Sequence, residues 1–434
     1  AQKGSKAVPY NLPNSTGAAD VENMANCYVV NAPGTYSFPL VYGNAINNGQ
    51  VNYAAYTSKA SIQGTLNPFI NHLGNGITDP YIAKNTDCVP VKAELVWQDA
   101  PSLVTDIKYN SGTNGGTISF KVDKENIRQG NALIAIKDSQ NTILWSWHIW
   151  ITDENIYHTI KVTNHQNVSH DLMPIHLGWC EGEVINYAAR SCQVQFIAHG
   201  QTRLITVNQM RSTTSTQGNC TFYEWGRKDP LRPTSGYAYK NKTWYNAAGI
   251  ASTANHAVES FPFGNECIKN YIRKPDVMQK EIGGDNTYFN LWNADNNTNS
   301  NVYNDNPVTK TVYDPCPVGF AMPPSNTFTG FTTTGENVTN TVAKYNGEWN
   351  SSLPGWNFYC GPNKTGGTIF FPMTGERISS GGHLSAVGSL GHTWSATSTH
   401  SNYAHNLTLY TNYWVWPLDR FSKSAGHGVR PCLE

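Results

Sequence analysis

The sequence predicts a mainly β protein, an N-terminal β-sandwich followed by a second, loop-rich domain, and three observations carry that prediction. Apolar residues alternate with polar ones at a period of two in many short runs, as half-buried strands require. Gly, Asn and Pro punctuate those runs, and helical periodicity is almost absent. Charged residues make up 14% of the 434 positions, against a usual ~25%, and Asn, Thr, Ser, Gly and Tyr take their place.

Taken in chain order, Tyr36, Phe38, Leu40 and Tyr42 alternate with mostly polar or small neighbours, and Ile118, Phe120 and Val122 repeat the pattern. The runs Ala132–Ile136 and Thr142–Ile151 flank Asp138-Ser-Gln-Asn141, which is hairpin chemistry. Ile143, Trp145, Trp147, Ile149 and Ile151 share one face of the second run, too much aromatic surface to leave wet. The polar stretch 152–170 is the expected boundary, giving a sandwich over 1–160 and a second domain over 161–434, each with its own core. Beyond it, Ser191–Ala198 and Thr202–Val207 read as a hairpin around His199-Gly-Gln201. Ala247–Ala257 is the best short helix candidate, and the Asn-rich stretches 283–306 and 325–368 are expected to be surface loops.

Thirty basic and thirty acidic residues cancel, so nothing points to nucleic acid or an anionic membrane. No run approaches the ~20 apolar residues of a membrane helix. Nine cysteines fit an oxidising compartment, with no Cys-x-x-Cys and no Cys/His spacing of the zinc type, and the odd count leaves one thiol over. The expected location, from the uncharged polar composition and the cysteines, is outside the cell or on its outer surface. The start Ala1-Gln-Lys-Gly-Ser-Lys reads as a mature or trimmed end, from which the address of a secreted protein would already have been removed.

The segment Thr311-Val-Tyr-Asp-Pro-Cys-Pro-Val-Gly-Phe-Ala-Met-Pro-Pro324 is too Pro-rich for helix or inner strand. Gly428-Val-Arg-Pro-Cys432 reads as a last strand returning to it. A disulfide between Cys316 and Cys432 is therefore expected, worth roughly 4–5 kcal/mol in the chain-entropy account, the alternative being two unrelated buried thiols. Pairing of Cys27, Cys88, Cys180, Cys192, Cys220, Cys267 and Cys360 is left open.

Five motifs give the second half a family likeness: Asp171-Leu-Met-Pro-Ile-His-Leu-Gly178, Phe222-Tyr-Glu-Trp-Gly-Arg-Lys-Asp229, Tyr313-Asp-Pro-Cys-Pro-Val-Gly-Phe320, His392-Thr-Trp-Ser-Ala-Thr397 and Gly428-Val-Arg-Pro-Cys432. In this order, over about 160–434, they resemble the major paralogous domain first described in Fibrobacter succinogenes and abundant in Bacteroidetes surface proteins. That resemblance implies a C-type-lectin-like α+β fold. The first half, through Ala25-Asn-Cys-Tyr-Val-Val30 and Leu144-Trp-Ser-Trp-His-Ile-Trp150, resembles the partner module of fimbrillin-like and adhesin-like proteins of Bacteroides. The Glu-Pro-Asn or Gln-Pro-Asp triplet of calcium-dependent lectins is absent, and the copper-binding cysteine pair of formylglycine-generating enzymes has no counterpart.

Catalytic motifs are not apparent: there is no Gly-x-Ser-x-Gly, His-Glu-x-x-His or phosphate loop. Glu224, Asp229, Glu348 and Glu376 are carboxylates for which salt bridging or turn capping is favoured over catalysis. Asp295, Asn297 and Asn299 imitate the opening of a calcium loop, but Ser300 and Asn306 stand where Gly and Glu belong. The thirteen histidines show no ligand spacing, so no metal and no cofactor is expected. Aromatics set among Gly, Asn and Ser remain: Trp349, Trp356 and Tyr359, then Tyr403, Tyr410, Tyr413, Trp414 and Trp416. An indole beside Asn amides suits a sugar ring, so the predicted ligand site is Trp349, Asn350, Trp356, Asn412 and Trp414. Trp394, Leu407 and Leu409 are assigned to a core. The expected function is non-enzymatic adhesion or ligand binding at the bacterial surface, a fimbrial tip included. Its partners would be an extracellular glycan, a host or bacterial surface protein, or other fimbrial subunits. The alternatives are a secreted enzyme acting on glycans or protein side chains, and a scaffold that binds no small ligand.

Overall fold

A computed structural model describes residues 2–182, 184–215, 218–233, 243–255, 257–280, 288–297, 302–399, 402–411 and 413–434. The fold is mainly β, with one α-helix, Asn265–Arg273, among the described residues. None of the described helices is long and apolar enough to cross a membrane.

The first half is built on two sheets. One has four strands, in the order Tyr10–Asn11, Gly34–Pro39, Thr117–Val122, Thr105–Asn110. The other has six, centred on Lys92–Gln98, Gly130–Lys137 and Ile143–Ile151, with Cys27–Val30 on one flank. The alternating residues of the sequence meet between them: Phe38 lies 4.9 Å from Trp147 and 5.4 Å from Tyr28, ring centre to ring centre. The hairpin turn is as the sequence predicts, with the Asp138 carboxylate accepting from the backbone N–H groups of Gln140 and Thr142.

The expected boundary does not separate two cores. The strand Ile143–Ile151 is buried at every position, not on one face only. Its second face carries Ser146, His148 and Trp150, and residues of the second half cover them. Trp150 donates from Nε1 to the Trp179 carbonyl (3.0 Å), Ser146 bonds Asp229 (2.9 Å), and His148 bonds Tyr223 (3.3 Å). Trp244–Tyr245 and Ala251–Ser252 extend the six-stranded sheet of the first half. One hydrophobic cluster therefore runs from Met24 to Val429, and a second gathers around Phe331, Trp356, Phe358 and Phe371. The apolar area of this central strand is too large for one neighbouring layer, which is why the halves share a core.

Three local expectations are also corrected. Residues from the helix candidate pair as short strands, and the helix lies further on, where Cys267, Ile268, Tyr271 and Ile272 bury one stripe. Part of the Asn-rich stretch 283–306 is core: Trp292 is buried and donates to the Tyr313 carbonyl (3.0 Å). Within 325–368, Gly347–Asn350, Gly355–Gly361 and Thr365–Pro372 form a three-stranded sheet. A five-stranded sheet follows, in the order Val338–Thr339, Trp414–Ser422, Tyr403–Tyr410, Leu390–Ser398, Gly428–Val429.

The closing strand does return to the Pro-rich loop, but through the backbone. Ala321 stands opposite Cys432 and Phe320 opposite Leu433. Cys316 instead sits beside the strand of Cys27, which bridges to Pro317, and both Cys316 and Cys432 are free thiols. The expected Cys316–Cys432 disulfide is absent because Ala321, not Cys316, occupies the facing position.

Candidate functional site

The predicted ligand residues separate into two sets. Trp349 and Trp356 face each other across adjacent strands and meet edge to face at 5.8 Å. Trp356 is 1% exposed, stacks on Phe358 at 5.7 Å and meets Tyr345 at 5.0 Å. It is a core residue, and the expectation that it contacts ligand is corrected: the strand alternation that exposes one face turns this indole inward. Trp349 lies half-buried against the same cluster. Asn350 uses its side-chain carbonyl to accept from the backbone N–H groups of Ser352 (3.1 Å) and Leu353 (3.0 Å), so it closes a turn. Asn412 lies outside the described residues.

Trp414 belongs to the second set, at the end of the hairpin made by Tyr403–Tyr410 and Trp414–Ser422. The register places Leu409 opposite Val415, both buried, and Tyr410 opposite Trp414 and Thr408 opposite Trp416 on the other face. Trp414 stacks on Trp416 at 4.4 Å with an interplanar angle of 11°, and meets Tyr410 at 5.0 Å and Tyr413 at 5.9 Å. Tyr410 and Tyr413 are exposed. Trp416 is held by a hydrogen bond from Nε1 to the Thr339 hydroxyl (3.0 Å), and the Tyr413 carbonyl accepts from the Tyr345 hydroxyl (2.6 Å). Four aromatic rings thus form a shallow, braced face open to solvent. Such a face offers CH–π stacking to a pyranose ring.

The carboxylates of the Phe222–Asp229 motif are consumed structurally. Glu224, fully buried, pairs with Arg227 and accepts from the Gln279 N–H (2.8 Å). Arg227 also donates to the carbonyls of Val277 (2.7 Å) and Lys274 (2.6 Å), tying down the segment that follows the helix. Lys228 is ringed by Asp229 (2.7 Å) and by the hydroxyl (2.7 Å) and carbonyl (2.9 Å) of Ser146, with its ammonium 4.5 Å from the centre of the Trp145 ring. Burial pushes the Lys228 pKa down to about 8, against the pull of Asp229. Glu348, on the surface, accepts from the Tyr359 hydroxyl (2.7 Å). Asp295 accepts from Thr309 (2.8 Å), and Asn299 lies outside the described residues.

The motifs of the family resemblance converge in space. Arg430 donates to the carbonyls of Met173 (3.2 Å), Pro174 (2.5 Å) and Phe370 (2.6 Å) and lies 3.1 Å from His176, which in turn bonds Thr393 (3.1 Å). The Asn26 amide donates to the carbonyls of Val312 (2.7 Å) and Asp314 (2.8 Å), joining a first-half motif to the Pro-rich loop. These residues hold the protein together.

One cluster was not legible in the sequence. Glu376, His392 and His427, sixteen and thirty-five residues apart, bring their ligand-type atoms within 4.8 Å of one another. Only Glu376 was singled out by residue type, and the spacing follows no local motif. A backbone bridge between Arg377 and Gly426 sets Glu376 beside His427, and strand pairing sets His392 next to them.

The hairpin Arg190–Ala198 and Gln201–Gln209 forms as predicted, turning at His199 and Gly200, both with positive φ, the geometry that matches strand twist. Both strands are exposed throughout. Cross-strand partners share a face, and one face carries Cys192 with Val207, Val194 with Ile205, and Phe196 with Arg203. The other carries Ser191 with Asn208, Gln193 with Thr206, Gln195 with Leu204 and Ile197 with Thr202. The first face is the more apolar, and exposed Leu204 and Ile197 put apolar surface on the second as well.

Comparison with protein-family models, with curated proteins and with solved structures returns no match for this chain.

Proposed function

We propose that this chain is a non-enzymatic surface protein of adhesion or ligand-binding type, and that it takes up glycan on the aromatic face of Tyr410, Tyr413, Trp414 and Trp416. The observation that carries the reading is that face itself: four rings clustered at a hairpin end, two of them exposed and none inserted in the core. Stacking and a few hydrogen bonds on an open surface give affinities of about micromolar to millimolar. The burial of Glu224 and Asp229 in ion pairs tells against a glycosidase-type acid–base pair at that motif. The resemblance to Bacteroidetes surface modules supports an extracellular setting, and the uncharged polar surface agrees with it.

Because the two halves share a core, the test uses the full chain. Glycan-array screening followed by titration of the best binder should give saturable binding. Tyr413→Ala and Trp414→Ala should each weaken it more than about tenfold while stability stays within ~1 kcal/mol. Unchanged affinity in both variants would remove this face from the function.

A second reading rests on the exposed ribbon Arg190–Gln209. Phe196 is 55% exposed, and Val194, Ile205 and Val207 beside it are also exposed. A two-stranded ribbon with this much exposed apolar surface is marginal in water alone, which favours docking onto a protein partner such as another fimbrial subunit.

A further inference from the structure

The geometry points to a metal site: we propose that Glu376, His392 and His427 bind one divalent transition-metal ion of the zinc class, the two imidazoles through Nε2 and the carboxylate through one oxygen. The site lies on the same face of the five-stranded sheet as the aromatic cluster. His392 stands opposite Thr408, and Thr408 opposite Trp416, so the cluster occupies the buried inner end of that face. It goes beyond the glycan reading and does not depend on it.

Four observations carry it. First, the donor set is right. Two imidazoles and a carboxylate are the ligands of three-residue zinc sites, which leave a fourth position for water, whereas calcium and magnesium prefer all-oxygen shells.

Second, the donors are buried and unused. His392 and His427 are at most 2% exposed, and Nε2 of His392 and both ring nitrogens of His427 have no hydrogen-bond partner. A buried polar nitrogen without a partner costs free energy comparable to a lost hydrogen bond, and one ion would satisfy two of these three, Nε2 of each ring.

Third, the rings are fixed from outside. The imidazoles lie 4.2 Å apart at 10°, Trp394 stacks on His427 at 4.2 Å, and Phe421 closes both, at 5.0 Å from His392 and 4.8 Å from His427. Glu376 Oε2 already stands 3.8 Å from His427 Nε2. Ligand atoms around a zinc ion are about 3.4 Å apart, against separations of up to 4.8 Å here, so side-chain shifts of up to about 1.4 Å close the cluster on an ion.

Fourth, His392 has the outer support that metal-bound histidines have. Its Nδ1 lies 2.9 Å from the Thr408 hydroxyl, which donates to Asp419 Oδ2 at 2.6 Å. With Nδ1–H donating to Thr408, Nε2 keeps its lone pair for the ion, and the threonine relays the Asp419 charge to the ring. The Asn406 amide also lies 3.1 Å from Nδ1, and its Oδ1 has no partner as oriented. Its Nδ2 also donates to the Thr408 hydroxyl oxygen (2.9 Å) and to the Leu407 carbonyl (3.2 Å), which holds the threonine in place. Burial holds both imidazoles neutral well below their usual pKa, the state a metal requires.

The test is zinc binding by the chelator-stripped full chain, followed by calorimetry and elemental analysis, in a Cys192→Ser background that removes the exposed thiol. One equivalent should bind and raise Tm. Cobalt(II) in its place should give the weak visible bands of a nitrogen and oxygen site without thiolate charge transfer. Glu376→Gln at the partly exposed rim, its fold checked by circular dichroism, should weaken zinc binding at least about tenfold, and His392→Ala should abolish it. Thr408→Val, which touches no ion, should weaken binding less than either. Failure to bind zinc, or wild-type affinity in folded Glu376→Gln, overturns the proposal.

Discussion

The hairpin Gly130–Ile151 and the hairpin Arg190–Gln209 have strands of eight or nine residues joined by tight turns, yet one is the most buried element and the other among the most exposed. Both turns are written in sequence by residues that tolerate positive φ or cap the chain, Asp138 and Asn141 in the first, His199 and Gly200 in the second. The difference lies in what the side chains offer to neighbours. Ile143–Ile151 has apolar or hydrogen-bonding groups on both faces and strands on both edges. Arg190–Gln209 has apolar side chains interrupted by polar ones on both faces, and among the described residues neither of its strands pairs with a third. Pairing two strands settles a hairpin, but burial needs further layers.

The largest effect should come from the buried hairpin. Trp147→Ala removes a fully buried indole that packs on Phe38, and Asp229→Ala strips Lys228 of its counter-charge behind Ser146. Each should cost about 3–5 kcal/mol by urea unfolding. A loss under ~1 kcal/mol in both would show that the layers separate after all.

A smaller, pH-dependent effect should come from His148 on the same hairpin. It is fully buried, bonded to Asn131 (2.9 Å), and burial pushes its pKa down to about 3. Its unfolded value is ~6.5, so the unfolded chain takes up the proton first as pH falls. The stabilisation is complete above ~6.5 and is lost towards pH 3, with a slope of up to ~1.4 kcal/mol per pH unit. His148→Gln should flatten the stability profile in this window, and an unchanged slope would place the acid sensitivity elsewhere.

The smallest effect belongs to the exposed ribbon. Phe196→Ser with Ile205→Ser should change global stability by less than ~0.5 kcal/mol per site while lowering binding of an apolar dye. Cys192, on the same face, should react with a thiol reagent in the native protein, ahead of the half-buried Cys360 and the seven buried thiols. All nine should titrate after unfolding without reductant. Loss of two from that count would restore a disulfide.

Legibility followed the same division. Alternation at Tyr36, Phe38, Ile118 and Phe120 located strands because one face of each is wet or half-wet. The strand Ile143–Ile151 showed its inward aromatics, but the alternation assigned no place to Ser146 and His148 on the other face. They are buried because Asp229, Lys228, Asn131 and Tyr223 satisfy them. Asn-rich composition misplaced Trp292, whose burial depends on Tyr313 and Trp225 from other segments. The aromatic site was half legible. Residue type picked out both Trp356 and Trp414, but only the register separates an inward indole from an outward one.

By itself, the sequence determined the fold class, the strand periods, the turns and the return of the last strand to the Pro-rich loop, because these depend on neighbours within a few residues or on a single pairing. The tertiary structure decided the shared core, the free state of Cys316 and Cys432, and the meeting of Glu376, His392 and His427. Each of those depends on side chains distant in sequence, and a spacing of sixteen or thirty-five residues carries no geometry until the strands between them have been folded into sheets.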